Sequence, residues 1–324
     1  MGVSTENLID VRGLTKQFKL NADVFGATKK TVNAVNGLDF YIKKGETFGL
    51  VGESGCGKST TGRLLIRLID PTSGEIIYNN QNITHFQGRQ LRQLRKDMQI
   101  IFQDPYSSLH PRMSCQGIIG EPLGIHMKMS RRERKEKVHE LLNQVGLPRE
   151  YASRYPHEFS GGQRQRIGIA RALAVNPAFI VCDEPVSALD VSIQSQVLNL
   201  LKSLQQDLDL TYLFIAHGLN VVKYISDRVG VMYLGQIVEL AGADEIYRRP
   251  LHPYTAALIS AIPDTNVDTK KERIILKGEV PNPTNLPEGC LFHTRCARCS
   301  DVCKSVKPDL KEVSPGHHTA CHLY

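Results

Sequence analysis

A glycine-rich segment in the first quarter of the chain carries residue types suited to binding phosphate. Residues 52–59 read GESGCGKS and follow the apolar run 47–51. Glycines let the backbone N–H groups of a loop point inward at phosphate oxygens, while a lysine adds charge and a serine hydroxyl suits Mg²⁺. The next run is helical in pattern, so the phosphates would lie at a helix N-terminus. The expected nucleotide-binding residues are Gly52, Ser54, Gly55, Cys56, Gly57, Lys58, Ser59 and Thr60.

Composition limits the class of protein. The chain has 324 residues and 41% hydrophobic content, which is enough for one large and one small folded unit. No uncharged apolar stretch approaches the ~18 residues that would span a bilayer, and the N-terminal residues lack a signal-peptide pattern. A formal charge of +7 does not by itself indicate nucleic-acid binding. We therefore expect a cytosolic protein that binds no nucleic acid.

Apolar runs without alternation predict the central strands of a parallel sheet. They occur at residues 47–51, 98–102, 179–182 and 212–216. Strands that are buried on both faces have this pattern. An amphipathic run that begins at Ser192 predicts a helix between the last two strands. The sequence thus predicts a strand–helix–strand nucleotide fold of the α/β class.

Other segments predict smaller parts around this core. Alternating runs at 7–14 and 38–42 predict a small antiparallel β subdomain, with a surface insertion at 19–33 between them. A capping box that starts at Ser130 predicts a helix that Gly146 stops. Near residue 250 the composition becomes rich in proline and loop-forming residues. The expected domains are a nucleotide-binding domain at 1–249, with an inserted helical subdomain at about 104–172, and a small loop-rich, cysteine-containing extension at 250–324.

Motifs further along the chain resemble those of a known family. Residues 159–163 read FSGGQ, residues 182–185 read CDEP, and His217 follows the next apolar run. Together with the loop at 52–59, in this order, they resemble the nucleotide-binding subunits of ABC transporters over nearly the whole chain. The usual signature begins with Leu, so Phe159 is a departure at an apolar position. The resemblance implies a P-loop NTPase cassette that binds ATP and Mg²⁺ and hydrolyses ATP.

The resemblance also assigns roles to individual residues. Asp183 would bind Mg²⁺ with Ser59 and Gln103, and Glu184 would be the base that orients the attacking water. Taken alone, Gln103 would more often be a solvent-exposed side chain. An isolated Asp–Glu pair at a strand end would more often cap a helix.

Two further assignments concern the ends of the nucleotide. His217 would contact the γ-phosphate, and it precedes Gly218, where the oligopeptide branch usually has Asp, so slower hydrolysis is expected. Phe18 would stack on the adenine ring. An aromatic residue at a strand end otherwise most often belongs to the core.

The resemblance implies that two chains act together. Ser160 and Gly162 would approach the γ-phosphate bound by the opposite subunit, and Asp190 would line that interface. ATP would then favour a closed dimer, which hydrolysis opens. The sequence segments 155–159 and 251–255 resemble those of the F-type subunit in the oligopeptide/dipeptide permease branch. The F-type subunit normally pairs with a homologous D-type ATPase.

Five of the eight cysteines lie in the last 35 residues. Four of them, Cys290, Cys296, Cys303 and Cys321, have a spacing that resembles the ligands of a [4Fe–4S] cluster in this branch. Thiolate sets suit iron–sulfur or zinc alike, but the paired C-x₂-C knuckles of a zinc ribbon are lacking, which favours the cluster over zinc or no metal. Cys299 is extra to the pattern, and disulfides are disfavoured in a reducing compartment.

The resemblance implies a subunit that powers import of di- or oligopeptides from the cytoplasmic face of the membrane. Its expected partners are a homologous ATPase, two transmembrane permease subunits and, indirectly, an extracytoplasmic solute-binding protein. The same cassette would also suit a nickel, opine or glutathione importer. A soluble ABC ATPase would usually carry a second cassette or a long coiled coil, and a non-catalytic regulator would lack Glu184 or His217.

Overall fold

The computed structural model describes residues 7–19, 31–262 and 273–324. Their contacts divide them into two compact units. Unit 1 holds the described residues of 1–42, 47–84 and 216–324, and unit 2 holds residues 43–46 and 85–215.

The strands and helices are numbered in chain order. The strands are β1 (Asn7–Lys19), β2 (Thr31–Lys43), β3 (Thr47–Val51), β4 (Ser73–Tyr78), β5 (Gln81–Asn82), β6 (Met98–Ile101), β7 (Phe179–Asp183), β8 (Thr211–Ala216), β9 (Arg228–Tyr233), β10 (Gln236–Gly242), β11 (Lys311–Ser314) and β12 (His317–Thr319). The helices are α1 (Lys58–Leu65), α2 (Gly88–Asp97), α3 (Cys115–His126), α4 (Arg131–Gln144), α5 (Gly161–Leu173), α6 (Val191–Leu208), α7 (Leu219–Ile225), α8 (Ala243–Arg248), α9 (Pro253–Ser260) and α10 (Val302–Ser305). Within the described ranges, no helix has both the length and the apolar character needed to cross a membrane.

Unit 1 contains the small antiparallel sheet that the sequence predicts. Its strand order is β2-β1-β4-β5, and β4 pairs antiparallel with both β1 and β5. Both predicted strands are longer than expected, because β1 continues to Lys19 and β2 begins at Thr31. The predicted insertion at 19–33 falls mostly on residues 20–30, which lie outside the described residues.

Another set of strands in unit 1 carries the glycine-rich loop. β3 pairs parallel with β9, and β9, β10, β12 and β11 then pair antiparallel in that order. All five residues of β3 are buried, as expected for a central strand. The loop leads from β3 into α1, so strand, loop and helix occur in the predicted order. Because β12 pairs with β10, the C-terminal tail extends this sheet. The tail is here the described segment 273–324.

Unit 2 contains the other predicted parallel strands. β7 pairs parallel with β6 on one side and with β8 on the other. Every residue of β7 and β8 is buried, which explains their unalternated apolar sequences. The helix predicted from Ser192 is α6, which begins one residue earlier at Val191 and follows β7 in the chain.

The helical part of unit 2 consists of α3, α4 and α5, which contact one another. α4 begins where the capping box predicts, since the Ser130 Oγ accepts from the Glu133 N–H at 3.3 Å and the Glu133 carboxylate accepts from the Ser130 N–H at 2.7 Å. It ends just before Gly146, whose φ is +70°. The helical subdomain at 104–172 and the domain boundary near 250 stay predictions.

A buried carboxylate fixes the tail of unit 1 to β10. Glu239 is fully buried and its two oxygens accept from the backbone N–H groups of Leu251 at 2.8 Å and His252 at 2.9 Å. The His317 Nε2 on β12 lies 2.7 Å from the same carboxylate. A carboxylate is tolerated in a protein interior when its oxygens are satisfied in this way.

Replacing Glu239 with alanine is expected to lower the free energy of unfolding by about 3 kcal/mol, because two N–H groups and His317 lose their buried acceptor. Urea denaturation measures the change. Glu245→Ala is the matched control, since the Glu245 carboxylate is 3.8 Å from the other nitrogen of His317 but 45% exposed. The control should change stability by less than about 0.5 kcal/mol. Equal losses in both variants would contradict the assigned role of Glu239.

Candidate nucleotide site

The glycine-rich loop of unit 1 is packed too closely for side chains at two of its glycines. A Cβ on Gly52 would lie 2.1 Å from the Met232 carbonyl oxygen, and a Cβ on Gly57 would lie 2.1 Å from the Ala34 carbonyl oxygen. Their φ values, +155° and +106°, are also unfavourable for other residues. The loop is therefore restricted to one backbone conformation by its packing against the segments of the same chain that contain Ala34 and Met232.

The Lys58 side chain is folded into this loop. It is buried, and its Nζ donates to the carbonyl oxygens of Gly52 at 2.7 Å and Glu53 at 3.0 Å. The exposed edge of the loop is formed by Ser54 and Gly55, where an anion could approach. Ser59 and Thr60 lie half-buried in the first turn of α1, and burial raises the pKa of the Cys56 thiol. Cys56 is thus a neutral packing residue of the loop.

His217 and Phe18 also belong to unit 1. His217 is exposed directly after β8. Gly218 is the N-cap of α7 with a φ of −83°, which any residue can adopt, so the backbone does not demand glycine there. Phe18 is 40% exposed on β1, with the Lys16 ammonium 5.0 Å from its ring centre. This exposure argues against a core role for Phe18, and its stacking on adenine stays a prediction.

The two predicted carboxylates lie at the end of β7 in unit 2. Asp183 and Glu184 are only 2% and 4% exposed. Glu184 has a φ of +50°, which is strained for a residue other than glycine, and its N–H donates to the Ile215 carbonyl oxygen at 3.0 Å. Strain of this kind concentrates at functional sites. The Gln103 Nε2 donates to the Glu184 carboxylate at 2.7 Å, so the structure brings these two predicted residues together.

The FSGGQ motif forms the start of α5 in unit 2. Ser160 is its N-cap, and the Ser160 Oγ accepts from the Gln163 N–H at 3.4 Å while the Gln163 side chain accepts from the Ser160 N–H at 3.0 Å. Ser160 is exposed, whereas Gly162 is buried against Ile193 of α6. Asp190 is exposed at the N-cap of α6. The motif thus presents a helix N-terminus, which favours anions, at the surface of unit 2.

Comparison with known proteins identifies the family. A family model described as ABC transporter matches residues 35–187, and one described as the C-terminal region of oligopeptide/dipeptide transporters matches residues 238–303. The oligopeptide transport ATP-binding protein AppF of Bacillus subtilis is 55% identical over 322 residues, which cover 98% of each chain. The chain belongs to the ABC transporter ATPases.

Other relatives of this ABC ATPase agree with the assignment. The putative oligopeptide transport ATP-binding protein YkfD of Bacillus subtilis is 55% identical, over 95% of this chain and 94% of its own. The solved dimeric structure of MJ0796, a bacterial ABC transporter cassette, has a TM-score of 0.64 and 30% identity, over 72% of this chain and 98% of that one. The predicted cassette fold and the transport-coupled ATPase activity are therefore confirmed, and ATP and Mg²⁺ are the ligands expected for an ABC ATPase.

The tail cysteines of the ABC ATPase are near one another but do not form a ready metal site. All eight cysteines are free thiols, so the tail is not a disulfide framework. Burial, with smaller contributions from the nearby Cys303, Cys321 and Cys296, raises the pKa of the Cys290 thiol to about 11. Across the described ranges, no three His, Cys, Asp or Glu side chains are grouped to hold a metal ion. The predicted [4Fe–4S] cluster is therefore not supported by the structure.

Opposing effects act on the Cys303 thiol. Burial favours its neutral form, but hydrogen bonds from Ser300 and Cys299 outweigh burial and hold the pKa of Cys303 below its usual value. The Ser300 Oγ lies 3.3 Å from the Cys303 sulfur. Cys303 is therefore the tail cysteine with the most thiolate character, and thiolates are the form that binds metals.

Sequence reasoning assigned no role to the residues that support the loop. The Glu53 N–H donates to the Tyr254 hydroxyl at 2.9 Å, and Arg295 forms an ion pair with the Glu53 carboxylate. Tyr254 lies in the segment 251–255, which resembles the oligopeptide branch, and Arg295 lies in the segment 289–296, which also resembles it. Those segments were the available signal, but they do not indicate contact with a loop some 200 residues earlier.

Gly162→Ala is expected to destabilise unit 2 by about 1–3 kcal/mol, because the new Cβ would lie 2.5 Å from the Ile193 Cγ2. Gly161→Ala is the matched control, since its Cβ would lie 3.4 Å from Leu189. The control should be neutral or slightly stabilising in urea denaturation. Adding Ile193→Ala to Gly162→Ala should remove the clash, so a double variant as unstable as the sum of its parts would contradict this explanation.

Proposed function

We propose that this ABC ATPase powers the import of di- or oligopeptides through a membrane transporter. The observation that carries the proposal is the 55% identity to AppF over 98% of both chains, together with the match of residues 238–303 to an oligopeptide/dipeptide transporter region. Proteins of Brucella that are 52% identical over 97% of both chains are likewise named putative peptide import ATP-binding proteins. The relatives' names thus agree on the class of cargo.

The proposed chemistry assigns one task to each group. In unit 1, the backbone N–H groups of the loop and the Lys58 ammonium bind the phosphates of ATP, and His217 contacts the γ-phosphate. The phosphate oxygens would replace the Gly52 and Glu53 carbonyl oxygens as partners of the Lys58 Nζ. Phe18 stacks on the adenine.

In unit 2, Glu184 is the proposed base that orients or deprotonates the attacking water. The hydrogen bond from Gln103 restricts the Glu184 side chain, which reduces the reorganisation needed for catalysis. Asp183 and Gln103 are the residues of unit 2 that would bind Mg²⁺, and Ser59 is the residue of unit 1 with the same proposed role. When bound, Mg²⁺ neutralises charge on the β- and γ-phosphates.

The signature turn supports a catalytic dimer in which each chain acts on the nucleotide of the other. Ser160 is exposed at the N-terminus of α5, and such a terminus attracts a phosphate. We propose that Ser160 and Gly162 meet the γ-phosphate bound by a homologous D-type ATPase subunit, and that Asp190 lines that interface. ATP would thereby hold the two chains together until it is hydrolysed.

A groove in the helical part of unit 2 is a suitable surface for the permease. It encloses about 810 Å³ between α3, the start of α4 and the turn before α5. Its walls include Gly117, Gly120 and Gly124 of α3 and the side chains of Arg131 and Tyr155. We propose that it receives a cytoplasmic segment of one of two permease subunits. This would place the ATPase at the cytoplasmic face of the membrane, with a solute-binding protein acting on the other side.

The tail cysteines remain candidate ligands for a [4Fe–4S] cluster. The charges of nearby tail cysteines contribute to raising the pKa values of Cys290, Cys296 and Cys321, although burial is the larger cause for each. Hydrogen bonds from Ser300 lower the pKa of Cys303 despite its burial, which favours the thiolate more in Cys303 than in the other tail cysteines. Cluster binding would have to draw the four sulfurs closer together. In that role the cluster would stabilise a tail too small to build its own apolar core.

Glu184→Gln is expected to bind Mg-ATP with a Kd within about threefold of the unchanged protein and to lose at least about a hundredfold in kcat, because the amide cannot accept the proton of water. Fluorescent-nucleotide binding and phosphate release measure the two quantities. Glu136→Gln, on the exposed face of α4, is the control and should leave both unchanged. Undiminished hydrolysis in Glu184→Gln would remove Glu184 from its role.

Cells that carry only this variant should also fail to take up labelled oligopeptide, and normal uptake would contradict peptide import.

Anaerobic purification is expected to yield brown protein with about four irons per chain, measured by metal analysis and visible absorption. Cys303→Ser should abolish the colour, whereas Cys115→Ser, which alters a buried thiol of unit 2, should not. Colourless protein that contains zinc or no metal would refute the cluster.

A further inference from the structure

An arginine of the tail reaches directly into the phosphate-binding loop. Arg295 ends the short 3₁₀ turn His293–Arg295, next to Cys296. The Arg295 Nη1 donates to the Glu53 Oε2 at 2.7 Å, and the Arg295 Nη2 donates to the Glu53 Oε1 at 3.0 Å. Two parallel hydrogen bonds fix both the distance and the orientation of the paired groups.

This ion pair is partly shielded from water. The Arg295 side chain is 7% exposed and the Glu53 side chain is 29% exposed. The Arg295 guanidinium lies 5.9 Å from the centre of the Tyr233 ring. The hydrogen bonds to Glu53 raise the pKa of Arg295 further above its usual value, so the guanidinium stays charged. Shielding of this kind makes a charge pair stronger than one on an open surface.

Glu53 is held by three different groups. Its carboxylate is bound by Arg295, its N–H donates to the Tyr254 hydroxyl at 2.9 Å, and its carbonyl oxygen accepts from the Lys58 Nζ at 3.0 Å. Glu53 is thus the residue through which α9 and the tail both act on the loop. Its peptide groups also set where the Lys58 ammonium lies.

The turn that carries Arg295 rests on an aromatic cluster. Phe292 is almost fully buried, and its ring centre lies 5.3 Å from that of Tyr233, 5.4 Å from that of Tyr254 and 5.5 Å from that of His252. These rings come from β9, the start of α9 and the tail. The packing of this cluster therefore fixes the position of Arg295 relative to the loop.

We propose that Arg295 is a positioning residue for ATP binding, which couples the cysteine-bearing tail to the phosphate-binding loop through Glu53. It holds Glu53 so that the loop keeps the backbone conformation that accepts phosphate. The inference rests on the proposed phosphate-binding role of the loop. Any change in the tail that moves the turn at 293–295 would alter the affinity for Mg-ATP without altering the residues that carry out hydrolysis.

The variants Arg295→Met and Glu53→Gln test this coupling. Each is expected to raise the Kd for Mg-ATP about tenfold, while kcat at saturating Mg-ATP falls less than about twofold. Arg295→Lys should not restore affinity, because a single ammonium cannot make the two parallel bonds. The double variant should bind no more weakly than either single variant, since both remove the same pair. Effects that add, or an unchanged Kd in Arg295→Met, would overturn the proposal.

Control measurements separate positioning from general stability. Arg12→Met removes an ion pair with Asp10 on β1, in which the Arg12 side chain is 40% exposed. This variant should leave the Kd for Mg-ATP unchanged. Amide hydrogen exchange of the peptide 52–60 should increase in Arg295→Lys, which keeps charge and length, but not in Arg12→Met. Unaltered exchange in Arg295→Lys would count against the proposal.

Lys58→Ala tests the phosphate-binding role of the loop separately from the positioning role of Arg295. If the loop binds phosphate, this variant loses Mg-ATP binding. Full Mg-ATP binding by Lys58→Ala would defeat the phosphate-binding role of the loop, and the positioning role with it. Lost binding in Lys58→Ala with an unchanged Kd in Arg295→Met would defeat only the role of Arg295.

Discussion

The backbone conformation of the loop at 52–57 is the constraint on which the functional part of unit 1 depends. Its N–H groups must converge on an anion, and no side chain fits at Gly52 or Gly57. The buried Lys58 ammonium satisfies two loop carbonyls from within. Because β3 and α1 hold only the ends of the loop, its middle needs support from elsewhere. Tyr254 and Arg295 supply that support at Glu53.

Features that are encoded locally could be predicted from the sequence. The burial of β3, β7 and β8 follows from unalternated apolar runs, and the start of α4 follows from a capping box within four residues. Strand lengths were less predictable, because β1 and β2 extend beyond their alternating cores. That Gln103 and Glu184 belong to one site was expected only from the family resemblance, and their hydrogen bond to each other was not predicted.

Long-range polar contacts could not be predicted. Arg295 and Glu53 are 242 positions apart, and His317 and Glu239 are 78 positions apart. A single polar pair leaves no periodicity in the sequence, and either partner alone resembles an ordinary surface residue. The shift in the Cys303 pKa was hidden for a different reason, because Ser300 and Cys299 are close in sequence but their hydrogen bonds depend on how the local backbone places them around one sulfur. Such contacts are visible only once the fold is known.

The tail shows why polar contacts matter in a segment with a loop-like composition. Its apolar anchors are few, with Leu291 and Phe292 the large apolar side chains that it buries within the described residues. Apolar packing alone tolerates several arrangements, whereas a bidentate ion pair or a buried carboxylate is satisfied in only one. Buried pairs of polar or charged groups add little net stability, yet breaking one is costly. The Arg295–Glu53 and His317–Glu239 pairs therefore determine where the tail lies more than how stably it is folded, and the place they select is against the phosphate-binding loop.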